Sequence, residues 1–317
     1  MAGRALPDGD MSSSFQLEAR LPMDGAARRE VSALLDRLAR ATGIDPVSEQ
    51  GRLDLAHGSR HCLMGLLGRE RPGGRLRGYA QLTRQEDSWT VELAVEDAPG
   101  HDAHLLSALL LDEAMATAAR HGGGPVQAWI RDPRTAVGQA AAEAGMIPQR
   151  DLYQMRLDLP VPTGHGSIET RPFRPGTDEA PWLHVNSRAF ASHPEQGRWD
   201  LEMLLERERE PWFDPEGFLL HHIGGRLAGS CWTKVHHDTS PVTGEIYVIS
   251  VDPDYQGVGL GQGLLLAGLD HLVNQGITTG MLYVDAANSG ALALYRRIGF
   301  SVHHVDRLYE KTVRART

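Results

Sequence analysis

The stretch from 246 to 268, IYVISVDPDYQGVGLGQGLLLAG, constrains this chain more than any other part of it. Residues 246 to 251 are β-branched apart from Tyr247 and Ser250, which predicts a strand. Asp252-Pro253 stops it, and the apolar run from Leu260 predicts a helix. The glycines between them therefore sit at a strand-to-helix junction, where anions bind. Gln256, Gly257, Gly259 and Gly261 leave backbone N–H groups uncovered, and the helix start adds roughly half a positive charge, which together suit a pyrophosphate. Taken alone, a Q-x-x-G-x-G pattern is equally compatible with a glycine-rich turn that holds nothing.

The segment VDAANSGALALYRRIGF, 284 to 300, narrows the choice. It reads as a strand ending at Asp285, an Asn at 288 that caps a helix, Tyr295 within that helix, and Gly299-Phe300 opening another strand. In this order and spacing the two segments resemble the acetyl-CoA-binding half of the GCN5-related N-acetyltransferase (GNAT) family. The dinucleotide fingerprint fits less well, because no acidic ribose-binding residue follows at the expected place. The resemblance implies an α/β (α+β) fold with a mixed, mostly antiparallel sheet flanked by helices. It also implies acyl transfer from acetyl-CoA to an amine, without a metal. The cofactor would lie against Ile249, Ser250, Val251, Gln256, Gly257, Val258, Gly259, Leu260, Gly261 and Gln262, and against Asn288, Ser289, Gly290, Ala291, Leu292 and Ala293. Backbone N–H groups near 249 to 251 would meet the thioester oxygen and the pantetheine.

With 317 residues, 41% hydrophobic and 23% charged, the chain is long enough for two ordinary globular domains. Its formal net charge of −9 argues against a nucleic-acid partner. Cys62 and Cys231 have no metal or redox spacing and suit a reducing compartment. Neither a membrane-spanning run nor a signal pattern is legible, so the cytoplasm is the expected location. A monomer is the expectation, with no residue pattern that speaks to it.

A comparison of the halves explains the length. VQAWIRDPRTAVGQAAAEAGMIPQRDLY (126 to 153) and MLYVDAANSGALALYRRIGFSVHHVDRLY (281 to 309) share one plan, and Gly145 and Gly299 match at a separation of 154 residues (299 minus 145). So long a period means two tandem domains. The expected division is a disordered polar tail at 1–14, a first domain at 15–160, a linker at 161–167 and a second domain at 168–317. Setting Val95 on Val251 puts Gly100, Ala103 and Leu105 where the second copy has Gln256, Gly259 and Gly261, and the match of Gly145 to Gly299 puts Ala141 opposite Tyr295. The Cβ atoms of Ala103 and Leu105 would crowd a phosphate held by backbone N–H groups, so the first domain is expected to be catalytically silent. Elsewhere the apolar spacing predicts a helix from Asp24 to Thr42 stopped by Gly43, and a hairpin turning at Gly224-Gly225.

Further motifs narrow the resemblance to a tandem branch of the family: Ser48-Glu49-Gln50, His193-Pro194-Glu195-Gln196-Gly197, Trp212-Phe213-Asp214-Pro215, Cys231-Trp232-Thr233-Lys234 and Gly244-Glu245-Ile246-Tyr247. That resemblance implies, as acceptor, the cysteine α-amine of a cysteinyl-glucosaminyl-inositol. It also implies Glu245 as general base, Tyr295 as general acid toward the CoA thiolate, and Glu49, Glu195, Lys234, Glu245 and Tyr283 as acceptor-binding residues. Strand alternation places Glu245, Tyr247, Ile249 and Val251 on one face. The His pairs 221–222, 236–237 and 303–304 alternate across strands, so a metal site is not expected there. Two other readings stay open at this point: an acetyltransferase for another small amine or a peptide N-terminus, and a non-catalytic CoA-binding scaffold.

Overall fold

The computed structural model describes residues 4–5, 14–57, 63–71, 74–85, 87–97, 102–161, 168–191, 196–237, 239 and 241–316. It divides into two units: Met1–Leu152 together with His304–Thr317, and Tyr153–His303. This cut differs from the division at 160 and 168 expected from composition, for a reason that lies in strand pairing. In chain order the elements are β1 (Arg4–Ala5), β2 (Phe15–Arg20), α1 (Gly25–Thr42), α2 (Glu49–His57), β3 (Leu63–Glu70), β4 (Leu76–Arg84), β5 (Trp89–Val95), α3 (Ala103–Arg120), β6 (Gly124–Arg131), α4 (Ala136–Glu143) and β7 (Ile147–Asp158). They continue with β8 (Arg171–Pro172), α5 (Glu179–Ala189), α6 (Leu201–Glu208), β9 (Phe218–Ile223), β10 (Arg226–His236), β11 (Thr243–Val251), α7 (Leu260–Asn274), β12 (Thr279–Asp285), α8 (Ser289–Ile298) and β13 (Ser301–Val313). From β2 to β7 and from β8 to β13 the order is the same, as expected of a duplication.

In the first unit β2 to β5 form an antiparallel meander, β5 and β6 run parallel, and the C-terminal strand closes the sheet. Asp306 to Val313 of β13 pair antiparallel with Arg131 to Gly124 of β6, which is why the last residues of the chain belong to this unit. Residues 4–5, expected to be part of a disordered tail, pair with Ala19 and Glu18 of β2. One core lies under α3 and α4, around Leu106, Leu110, Leu111 and Ala141. Another lies under α1 and α2, around Val31, Leu34 and Leu35. Helix α1 keeps its expected ends: Asp24 caps Ala26 and Ala27, and Gly43, at φ 70°, closes the helix in the left-handed region.

In the second unit the sheet order is β7-β12-β11-β10-β9-β8, with β7 contributing from Tyr153 onward. The β9–β10 hairpin turns at Gly224-Gly225, with φ 58° and 79°. Helices α7 and α8 cover one face over Leu264, Leu265, Leu269, Leu292 and Phe300. Helices α5 and α6 cover the other over an aromatic cluster in which Trp232 stacks on Phe218, centroids 4.3 Å apart, and meets Trp182 edge-on. Gly268 explains how tightly α7 sits. A Cβ there would come within 2.5 Å of Cys231 Sγ and 2.9 Å of Ile246 Cδ1, so the helix, and with it the glycine turn at its start, is anchored on β10 and β11.

Candidate active site

The parts of the second unit that sequence singled out converge on the end of β11. Strands β11 and β12 are parallel and paired only from Thr243↔Thr279 to Ile246↔Leu282, although β11 runs on to Val251 and β12 to Asp285. Past Ile246 the two strands part, and the backbone from 247 to 251 turns its β12-facing polar groups into the wedge between them. The opening coincides with a bulge: opposite β10, Thr233 pairs with Ile246 and Trp232 with Val248, leaving Tyr247 as the extra residue.

The bulge overturns the expected alternation. Gly244 and Ile246 face α7, since a Cβ on Gly244 would meet Leu272 and Ile246 lies in the core under α7 and α8. Glu245 faces the opposite side. Tyr247 and Val248 both join the aromatic cluster on that side, whereas Ile249 and Val251 pack with the α7 core. Glu245 and Tyr247 thus share a face, and Ile249 and Val251 lie on the other. A one-residue insertion shifts every later side chain of the strand.

The strand feeds a turn that is open at its surface. Arg188 on α5 holds the turn's entry with Nε 2.9 Å from Asp252 and Nη2 3.0 Å from Asp254, and Gln256 Nε2 donates to the Val251 carbonyl at 3.1 Å. Gln256 therefore shapes the turn with its side chain. Gly257 and Gly259 have φ of 82° and 86°, and a Cβ on either would meet nothing within 4 Å. Among the described residues the N–H groups of Gly257, Val258 and Gly259 find no backbone acceptor, and those of Leu260 and Gly261 are the first two of α7, which have none within a helix. Val258 is 77% exposed. Five N–H groups thus lie at the open start of a fifteen-residue helix, which fits a pyrophosphate of CoA. Gln262 accepts from Arg297 Nη2 of α8 at 3.0 Å, so a guanidinium stands beside this first turn; no sequence pattern pointed to it.

Helix α8 begins as expected, with Asn288 Oδ1 accepting from Ala291 N–H at 3.1 Å. Ser289, Gly290 and Ala293 are exposed, Ala291 is half-buried and Leu292 is buried in the core. Tyr295 is buried, its ring edge-on to Phe300 with centroids 5.9 Å apart. Burial, with Cys231 beside it, holds the phenol above its ordinary pKa, so it carries its proton at neutral pH. Cys231 is itself pushed up to about 12 by burial and is an inert thiol.

On the face opposite α7, Glu245 is buried and lies directly across from Lys234 of β10 and Met281 of β12. Tyr283, two residues beyond Met281, shares that face; its hydroxyl accepts from Gln154 Nε2 of β7 at 2.8 Å. Lys234 Nζ sits 4.1 Å from the Trp212 ring centroid and 5.3 Å from that of Tyr247. Arg207 of α6 donates to the Tyr247 hydroxyl at 2.7 Å and lies over Trp199. His236 Nε2 lies 2.7 Å from Glu245 Oε2. The structure thus gathers Lys234, Glu245 and Tyr283 and adds His236, Arg207, Trp199 and Gln154, which sequence reasoning did not assign. Glu49 opens α2 in the first unit, and Glu195 lies outside the described residues.

In the first unit the corresponding helix start is differently made. The cap of α3 is Asp102, whose carboxylate accepts the Leu105 N–H at 2.8 Å, so its partner in the second unit is the Gly259 cap and the alignment of Ala103 with Gly259 is off by one residue. A carboxylate already fills the place where an anion would bind. Gly100 lies outside the described residues. Ala141, opposite Tyr295, is fully buried.

Known proteins resemble this chain in sequence and in fold. A model for the acetyltransferase (GNAT) family matches residues 182–300. The mycothiol acetyltransferase of Streptomyces bingchenggensis is 42% identical over 295 residues, covering 88% of this chain and 91% of that protein. That of Streptomyces avermitilis is 44% identical over 289 residues, covering 88% and 90%. Among solved structures, a GCN5-related N-acetyltransferase from Sphaerobacter thermophilus aligns with a TM-score of 0.68 at 25% identity, covering 97% of this chain and 98% of that one. A tandem GNAT protein from the clavulanic acid biosynthesis pathway aligns at 0.70 and 18% identity, covering 94% and 98%, a likeness of fold.

Proposed function

The chain belongs to the mycothiol acetyltransferase (mycothiol synthase) family, and from that premise we propose that its second unit moves acetyl from acetyl-CoA to the cysteine α-amine of desacetylmycothiol, the last step in making mycothiol. The observation that carries this reading is the parting of β11 from β12 beside Glu245, which leaves a wedge with a carboxylate on one side and a buried tyrosine on the other. Acetyl-CoA supplies the activated acetyl group. The five N–H groups from Gly257 to Gly261 bind its pyrophosphate, and the N–H groups of Ile249 and Val251, on the side away from β10, polarise the thioester carbonyl.

Glu245 takes the proton of the acceptor ammonium. A cysteine α-amine has an ordinary pKa near ~8, so a carboxylate suffices near neutral pH. The amine nitrogen then forms the C–N bond and loses its second proton to solvent as the C–S bond breaks, Tyr295 gives its proton to the departing thiolate and recovers one from solvent, and Glu245 returns its proton to solvent. Lys234, Tyr283 and the aromatic wall of Trp212 and Trp199 offer donors and apolar surface to a sugar-linked amine. Glu49 and Glu195 belong to this acceptor set by family resemblance alone.

The test is a competition with acetyl-CoA: desacetylmycothiol, lysine and a peptide amine are offered together, and products are identified by mass. Selective acetylation of desacetylmycothiol is expected. Preference for another amine would reassign the acceptor, and no thiol release with any amine would leave a non-catalytic CoA-binding protein.

A further inference from the structure

The pair formed by His236 and Glu245 has a use that general acid–base chemistry makes specific. His236 is near the end of β10, diagonal to Glu245 across the β10–β11 ladder, and its Nε2 stands 2.7 Å from Oε2. The Glu245 side chain is 9% exposed and that of His236 22%, so the carboxylate is the more buried of the two. Its backbone is fixed: Thr239 Oγ1 donates to the His236 carbonyl at 2.9 Å and meets Thr243 Oγ1 at 3.0 Å. A carboxylate that accepts a proton with one oxygen must have the other oxygen held, or it rotates away from the reacting atom.

We propose that His236 is the positioning residue of the general base: its Nε2–H holds Glu245 Oε2 and so presents Oε1 to the acceptor amine. The inference rests on the reading of Glu245 as the base. Other ionisable groups on this face are Lys234 of the same strand, Tyr247 of β11, Tyr283 of β12 and Arg207 of α6.

The experiment compares wild type with His236→Gln, His236→Ala and Glu245→Gln, measuring kcat from pH 5 to 9 with both substrates saturating, both KM values, and acetyl-CoA binding as a check that each variant is folded. His236→Ala is expected to lower kcat by about tenfold or more with little change in either KM, because a base displaced by a fraction of its reach loses rate and not affinity. His236→Gln keeps an N–H donor and should recover most of the rate that His236→Ala loses, with both KM values unchanged. No recovery of rate in His236→Gln, or a wild-type kcat in His236→Ala, overturns the proposal while Glu245→Gln remains inactive. A Glu245→Gln variant with wild-type kcat would instead remove the base itself, and the proposal with it.

Discussion

Two glycines in the second unit share a backbone conformation and differ only in what surrounds them, which allows the cradle to be tested without confusing strain with function. Gly259 at the start of α7 has φ 86° and Gly225 in the β9–β10 turn has φ 79°; a Cβ on either would meet nothing within 4 Å. Substituting alanine at each costs the left-handed penalty of about 1–2 kcal/mol. In a unit of this size that lowers Tm by about 2–4 °C per kcal/mol. The two variants should therefore melt alike, a few degrees below wild type. Only Gly259→Ala places a methyl group where the pyrophosphate approaches the N–H groups. Losing one charge-assisted hydrogen bond of about 1.5–3 kcal/mol raises the KM for acetyl-CoA by roughly ten- to a hundredfold, leaving the KM for the amine unchanged. Steady-state kinetics with each substrate varied in turn, alongside thermal melts, provides the comparison. Equal acetyl-CoA KM values in the two variants would show that the turn holds no phosphate.

Tyr295→Phe should lower kcat by about tenfold, because a thiol with an ordinary pKa near ~8.5 leaves readily even without a proton donor; the Kd for acetyl-CoA, measured by titration, should stay within about twofold, and a parallel loss of binding would make Tyr295 a packing residue. Glu208 of α6 is raised to about 7 by burial and by Glu179. Its folded state thus holds the proton more tightly than the unfolded chain, where the ordinary value is near ~4.3, so stability falls as pH rises from that value through 7 and is level above. Glu208→Gln should melt above wild type at pH 8 and level with it near pH 4, and a Tm difference independent of pH would refute the assignment.

The sequence by itself determined the local parts of the second unit. The β-branched run, Asp252-Pro253, the glycines and Asn288 each act within a few residues, through allowed backbone angles, missing donors and capping, and β11, the turn, α7 and the start of α8 lie where those signals put them. The duplication, too, was legible from spacing alone. What only the tertiary structure decided is which residues face one another. The Tyr247 bulge and the ending of the β11–β12 ladder at Ile246 follow from pairing with β10 and β12, and that pairing carries no mark in the one strand that bulges. So Ile249 and Val251 left the face of Glu245, and His236, unassigned from its alternating pair, came to hold the carboxylate. The unit boundary has the same origin. Residues 304–317 complete the first unit because β13 finds β6, a choice set by burial and hydrogen bonding between segments about 180 residues apart.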